Sequence, residues 1–312
     1  MNFRSANLFT RLLEMSPLSA KELSRVIATA PHRYKSHFIE KRHGRGKRLI
    51  SQPTAELKYF QRWLVDNELN QLPVHDAATA YRKGRSILDH ATPHAKQRYL
   101  LKLDFKDFFP SLNEHSLRHC LERDCNYSEE ELEILCNLLL KSASVDGGPL
   151  QLSIGAPSSP FISNYLMWEF DIAMQQYCDV MGVMYSRYAD DLAFSTDTPR
   201  LLDQVFDTVQ KILASISYLP LILHPDKTVN VSKKRRRLLV GLTLANDGNV
   251  SIGREEKRRL RAALHAYTQG RLPCDEVARL AGMLSFVWSI DPKFVENLCQ
   301  RHGFSRISDL LR

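Results

Sequence analysis

The chain has 312 residues, 44% hydrophobic and 25% charged, with 13 Gly, 14 Pro and six Cys. Together with a mean hydropathy of −0.30, this excludes a disordered, collagen-like or polytopic membrane chain and allows about two domains, or one with sub-domains around a shared core. The net charge of +8 is uneven: residues 1–100 carry 18 Lys/Arg against 8 Asp/Glu, residues 101–226 carry 8 against 19, and residues 227–312 carry 17 against 8. An acidic centre between basic ends suits a polyanion gripped by the flanks while the centre gathers carboxylates for metal ions; chance clustering on solvated faces is the plainer alternative. The start, Met1 to Ser5, leads into no apolar run, and no stretch approaches the roughly 18 apolar residues of a membrane span, so a cytoplasmic protein without membrane contact is expected. Without CxxC spacing, the cysteines read as reduced thiols packed as small hydrophobes.

In chain order, Leu8, Leu12 and Leu13 share one helical face, and Ser19 with Glu22 has capping-box spacing for a second helix. His43-Gly44-Arg45-Gly46-Lys47-Arg48 reads as a hairpin tip before the extended run Leu49-Ile50, and Leu57, Phe60, Leu64 and Val65 recur at helical spacing. Tyr99 to Leu103 is a strand-length apolar run with Asp104 at its end, followed by a capping-box spacing from Ser111 to Glu114 that opens a helix toward Cys120. A long helix is predicted from about Pro160 to Met181, stopped by Gly182. Two strand-like runs follow, Val183 to Tyr188 and Asp191 to Ser195, then the basic block 233–237, a strand-like run from Leu238 to Leu244, and a helix from about Arg254 to Gln269. Phe286 and Trp288 read as core residues of a further apolar helix.

The chemistry concentrates at Tyr188-Ala189-Asp190-Asp191. A two-residue hairpin turn favours Asn-Gly or Asp-Gly, because both central residues commonly take positive φ; Ala-Asp is a poor choice on that ground. Adjacent carboxylates repel each other, so placing both at a hairpin tip makes sense if a cation lies beside them, although a bare Asp-Asp pair is usually just an exposed acidic turn. If the strand ending at Asp104 lies beside this hairpin, three carboxylates converge, enough to hold two magnesium ions for an in-line phosphoryl displacement.

At this point the residues resemble a known family. Tyr188 to Asp191 resembles the YxDD box of reverse transcriptases, and Leu103-Asp104-Phe105-Lys106-Asp107-Phe108-Phe109-Pro110-Ser111 resembles their first catalytic-aspartate motif. Gly155-Ala156-Pro157-Ser158-Ser159-Pro160 with Ser163-Asn164, Pro225 to Thr228, and Arg48 to Pro53 resemble further segments in the family's order. Within the family the sequence is most similar to bacterial retron reverse transcriptases. Their NAxxH element is matched by His90 to His94 with His in place of Asn, and their VTG element by Leu239-Val240-Gly241. Ile154 stands where the wider family usually has Gln.

The resemblance implies an α+β right-hand polymerase fold: N-terminal helices and fingers over residues 1–98, a palm of antiparallel sheet and helices over 99–232, and a helical thumb over 233–312. It implies that Asp104, Asp190 and Asp191, with the Phe105 carbonyl, hold two Mg2+ ions. It assigns the triphosphate to the backbone of Asp107 and Phe108, the exclusion of a ribose 2′-OH to Phe109, and a nucleotide contact to Gly155. Core packing stays open for Phe108 and Phe109. Lys47 or Arg48 neutralises the triphosphate, with Lys41, Arg42 and Arg45 close by; Lys227 either donates a proton to pyrophosphate or pairs with the carboxylates. Nucleic-acid contacts fall to His94, Lys233, Lys234, Arg235, Arg236, Arg237, Arg258, Arg259 and Arg261, with a satisfied structural role open for His94. The implied function is an RNA-directed DNA polymerase that uses dNTPs to copy part of a cognate noncoding RNA into short branched single-stranded DNA, primed from an internal guanosine 2′-OH, with an effector toxin as partner in anti-phage defence. The rivals are another compact bacterial reverse transcriptase, of group II intron-like or abortive-infection type, and an RNA- and DNA-binding scaffold that restrains the toxin.

Overall fold

A computed structural model describes residues 6–40 and 46–311; Lys41, Arg42, Arg45 and the expected hairpin tip from His43 lie wholly or partly outside the described residues. The chain begins with α1 (Leu8–Glu14) and α2 (Ala20–Thr29), the latter opened by the Ser19–Glu22 capping box. The antiparallel pair β1 (Tyr34–Glu40) and β2 (Lys47–Pro53) follows, then α3 (Ala55–Leu64) and α4 (Ile87–Ala95). The central segment holds β3 (Tyr99–Asp104), α5 (Phe108–Ser111), α6 (Glu114–Asp124), α7 (Glu129–Leu139), β4 (Lys141–Ser142), β5 (Leu150–Gln151), α8 (Ser159–Leu166), α9 (Trp168–Met181), β6 (Met184–Tyr188), β7 (Asp191–Thr196) and α10 (Leu201–Ser215). The last third is β8 (Val229–Ser232), β9 (Arg237–Leu239), β10 (Leu242–Leu244), β11 (Val250–Ser251), α11 (Arg254–Thr268), α12 (Cys274–Trp288) and α13 (Pro292–Arg301).

A four-stranded antiparallel sheet in the order β6-β7-β3-β8 positions everything that matters for chemistry. Its inner face carries Leu101, Leu103, Leu192 and Phe194 into one large core shared with α1 to α3 and α6 to α10. A second core joins α11 to α13 and the three-stranded sheet β11-β10-β9 to α4 and to Leu100 and Ala193 of the central sheet. The C-terminal helices are thus fastened to the central sheet through α4.

Several local expectations change. The helix predicted over 160–181 is interrupted at Met167, where ψ is 2° and the amide bond to Ser163 stretches to 3.3 Å. Asn113, not Ser111, caps α6, because its side chain accepts from the Ser116 amide while Ser111 ends α5. The run Leu238 to Leu244 folds back on itself at Val240-Gly241, both at positive φ, and becomes β9 and β10. Phe286 and Trp288 are about half exposed, since Leu280, Leu284 and Val287 take the buried stripe of α12.

Two expected nucleic-acid contacts are structural. His94 is fully buried, with Nδ1 2.7 Å from the Ser195 hydroxyl and Nε2 2.8 Å from that of Ser186, so no ring nitrogen is left for RNA. Arg237 is 1% exposed and donates to the carbonyls of Ala95 and Ala245 at 3.1 and 3.0 Å, and to that of Gln97. It satisfies the C-terminal carbonyls of α4, where a cation also complements the helix dipole. Its strand alternation turns it inward while Lys234, Arg235 and Arg236 stay exposed.

Burial holds His94 neutral, with its pKa pushed down to about 3, and lowers His90 as well. The unfolded chain takes up a proton near pH 6.5 that the folded chain refuses, so stability is complete above that pH and declines below it. His94 should cost about 1.4 kcal/mol at pH 5.5 relative to pH 8. Urea midpoints of the wild type should therefore fall more steeply on acidification than those of His94→Gln, the comparison cancelling carboxylates common to both; parallel profiles would contradict the assignment.

Candidate active site

Antiparallel register places Asp104, the last residue of β3, directly opposite Asp191, the first of β7. Tyr188 pairs with Asp191, which leaves Ala189-Asp190 as a two-residue turn. Only Ala189 takes positive φ there (57°), in place of the two residues expected. A non-glycine at such a position stores strain of about 1–3 kcal/mol and needs outside support.

That support comes from Arg187. Its guanidinium is completely buried, donates to Asp171 at 2.6 Å (Nη2) and 2.9 Å (Nε), and donates through Nη1 to the Ala189 carbonyl and to Asn164 Oδ1, both at 3.1 Å. Asp171, also fully buried, accepts a further 2.7 Å bond from the Tyr185 hydroxyl, and Asn164 Nδ2 donates to the Ala80 carbonyl at 2.8 Å. The Phe105 amide bonds the Asp190 carbonyl at 3.3 Å, tying the turn to the loop after β3. None of Arg187, Asp171 or Tyr185 was singled out from sequence, because their partners lie on separate elements.

The carboxylates sit in a strained electrostatic setting. Burial, then the Asp104 charge, raise the pKa of Asp190; burial and then Asp190 raise Asp191 to about 6. Lys227 Nζ lies 2.6 Å from Asp104 Oδ1, so of the two roles left open for it the charge pairing is present in the structure. Among the described residues no three carboxylate, imidazole or thiolate groups enclose a metal by themselves.

Asp190 opens onto a cleft of about 380 Å³ whose wall includes Lys47, Arg48, Phe105, Asp107, Phe108, Phe109 and Lys227. Asp107 has φ 47°, a left-handed conformation that Asp tolerates better than most residues. Phe108 is buried and stacks on Phe105 at 5.7 Å, so its ring belongs to the core. Phe109 remains partly exposed. Ile154 lines the cleft, whereas Gly155 packs against β2. A Cβ on Gly155 would meet the Ser51 carbonyl at 3.0 Å at a φ of 116°, so this glycine permits the close approach of β2, reinforced by Ser153 Oγ on the same carbonyl at 2.6 Å. Tyr81, unforeseen from sequence, also faces the cleft. Lys233 to Arg236 line a separate groove of about 940 Å³ with Arg254, Lys257 and Lys293. Arg258, Arg259 and Arg261 are exposed on α11, Arg259 paired with Glu255 and Arg261 over the Phe294 ring.

Residues 39–244 match the family described as reverse transcriptase (RNA-dependent DNA polymerase). The chain is 36% identical over 279 residues to the retron Ec83 reverse transcriptase of Escherichia coli, covering 89% of each. It is 32% identical over 283 residues to the retron Ec86 enzyme of the same organism, covering 88% of this chain and 82% of that one. The chain belongs to the bacterial retron reverse transcriptases. The retron family places its activity as RNA-directed DNA polymerisation, copying an RNA template into DNA in a reaction that depends on a divalent metal. The fold agrees: an apo telomerase from Candida tropicalis superposes with a TM-score of 0.51 at 12% identity, covering 97% of this chain and 63% of that one. No helix among the described residues is long and apolar enough to cross a membrane.

Removing one partner of a buried ion pair strands the other charge, so Arg187→Met should lose about 3–5 kcal/mol, and adding Asp171→Leu should restore much of it. Denaturant titration of the single and double variants checks this; equal losses in both would show that the pair does not act as a unit.

Proposed function

We propose that Asp104 and Asp190 are the principal carboxylates for two Mg2+ ions, with Asp191 and the Phe105 carbonyl assisting. The all-oxygen donor set of Asp104, Asp190, Asp191 and the Phe105 carbonyl fits this ion, which commonly binds through one or two carboxylates plus substrate phosphates. When bound, the metal supplies charge neutralisation at the primer hydroxyl and at the triphosphate. Lys47, Arg48, Asp107, Phe108 and Phe109 line one cleft; there Lys47 and Arg48 would neutralise the triphosphate, the backbone at Asp107 and Phe108 would contact it, and Phe109 would exclude a ribose 2′-OH. Lys227, which pairs with Asp104 in the structure, would balance carboxylate charge there and stands close enough to the cleft to serve a leaving pyrophosphate. The observation that carries this reading is the convergence of Asp104, Asp190 and Asp191 at one sheet end beside a cationic cleft.

Residues 1–98 then act as fingers, 99–232 as palm and 233–312 as thumb, with Lys233 to Arg236 and Arg258, Arg259 and Arg261 tracking RNA and DNA backbones. The substrate is a cognate noncoding RNA, copied from an internal guanosine 2′-OH into short branched single-stranded DNA in the cytoplasm. The particle so formed partners an effector toxin in anti-phage defence. Retron membership supports these assignments.

Expression of the gene with its flanking DNA tests them. The wild type should yield a short branched DNA that is shortened by RNase, absent from Asp190→Asn with Asp191→Asn. Magnesium-dependent primer extension on RNA should fall about a thousandfold in Asp190→Asn alone, some 4 kcal/mol of barrier. Extension without any branched species would sink the priming assignment; unchanged extension in the variant would sink the metal assignment.

A further inference from the structure

Tyr81 has a φ of 61°, a conformation that is an outlier for a bulky aromatic residue and persists only where the surroundings over-determine it. Both flanks are pinned. The preceding carbonyl, of Ala80, accepts the 2.8 Å bond from Asn164, and Thr79 donates through its amide and hydroxyl to the Arg187 carbonyl at 2.8 and 3.0 Å. On the other side the Arg82 guanidinium donates to the carbonyls of His75 and Ala78 at 3.1 and 3.3 Å. Glycine would occupy this backbone conformation without strain, so packing of the main chain does not call for a tyrosine here.

What the conformation achieves is the placement of a ring. Tyr81 is 50% exposed in the cleft that holds Asp190 and Arg48, its hydroxyl makes no hydrogen bond among the described residues, and its ring lies 6.4 Å from that of Phe109, tilted by 54°. Phe109 also meets Phe108, edge to face at 5.4 Å. Phe109 therefore contacts both a core aromatic and a cleft aromatic. Without Tyr81, the outer side of Phe109 faces open cleft and its side chain gains room to swing.

We propose that Tyr81 is a specificity-determining positioning residue that braces Phe109 and thereby sets discrimination between deoxyribo- and ribonucleotides. The proposal rests on the reading of Phe109 as the sugar gate. The bracing is done by the ring and not by the hydroxyl. Asn164 supports the Tyr81 backbone and the Arg187 that holds the catalytic turn, so the gate and the carboxylates are fixed by one unit.

Single-nucleotide insertion on an RNA template, comparing kcat/KM for dGTP and GTP, tests this with Tyr81→Gly, Tyr81→Phe and Phe109→Ala. Glycine removes the ring and relieves the backbone, so the variant is not confounded by added strain. Tyr81→Gly should lower discrimination about tenfold, the scale of a loosened steric contact, mainly by raising kcat/KM for GTP. Tyr81→Phe should discriminate like the wild type, and combining Tyr81→Gly with Phe109→Ala should lower discrimination no further than Phe109→Ala does. Wild-type discrimination in Tyr81→Gly alongside its loss in Phe109→Ala would overturn the brace and leave the gate standing. Wild-type discrimination in Phe109→Ala would overturn the gate itself, and the brace with it.

Discussion

The buried guanidinium of Arg187 is the contact on which the working geometry of this polymerase depends. It lies on β6, is neutralised by Asp171 of α9, shares Asn164 of α8, and ends on the carbonyl of the strained residue Ala189. A fully buried charge is tolerated only when paired and hydrogen-bonded, and these bonds join α8, α9 and the β6–β7 turn. The pair need not add net stability to have this consequence. It fixes where the β6–β7 turn sits relative to α8 and α9, and so where Asp190 and Asp191 stand relative to Asp104.

A second constraint acts through backbone contact. Gly155 allows β2 to approach within van der Waals distance, and the Ser51 amide takes the Ile154 carbonyl at 2.8 Å. That junction carries Lys47 and Arg48 to the wall of the cleft that Asp190 opens onto. Asp190 and Asp107 from the acidic middle of the chain thus share one cleft with Lys47 and Arg48 from its basic first third. The basic last third is fastened to α4 through Arg237 and the second core.

The parts legible in sequence were those encoded by local pattern. Asp104 at the end of an apolar strand, the Tyr188–Asp191 segment, the Ser19 cap and the Gly182 stop each follow from a few neighbouring residues, whereas the pairing of the Asp104 strand with the hairpin was only a condition until the register was seen. What escaped depends on partners distant in sequence. Arg187 is 16 residues from Asp171 in the chain and reads as one more strand residue until their burial is known. Arg237 looks like the end of a basic run, and only strand alternation sends it inward. His94 carries a motif position yet is spent on two serines from β6 and β7. Tyr81 sits in a left-handed conformation that no tyrosine advertises.

The most direct test of this account is the Mg2+ dependence of primer extension by Arg187→Lys. Lysine keeps a positive charge for Asp171 but cannot also reach Asn164 and the Ala189 carbonyl with a planar fork of donors. The account predicts a folded protein whose kcat falls at least about tenfold and whose half-maximal Mg2+ concentration rises, the range seen when groups that orient metal ligands are removed. A folded variant with the kcat and Mg2+ dependence of the wild type would contradict it.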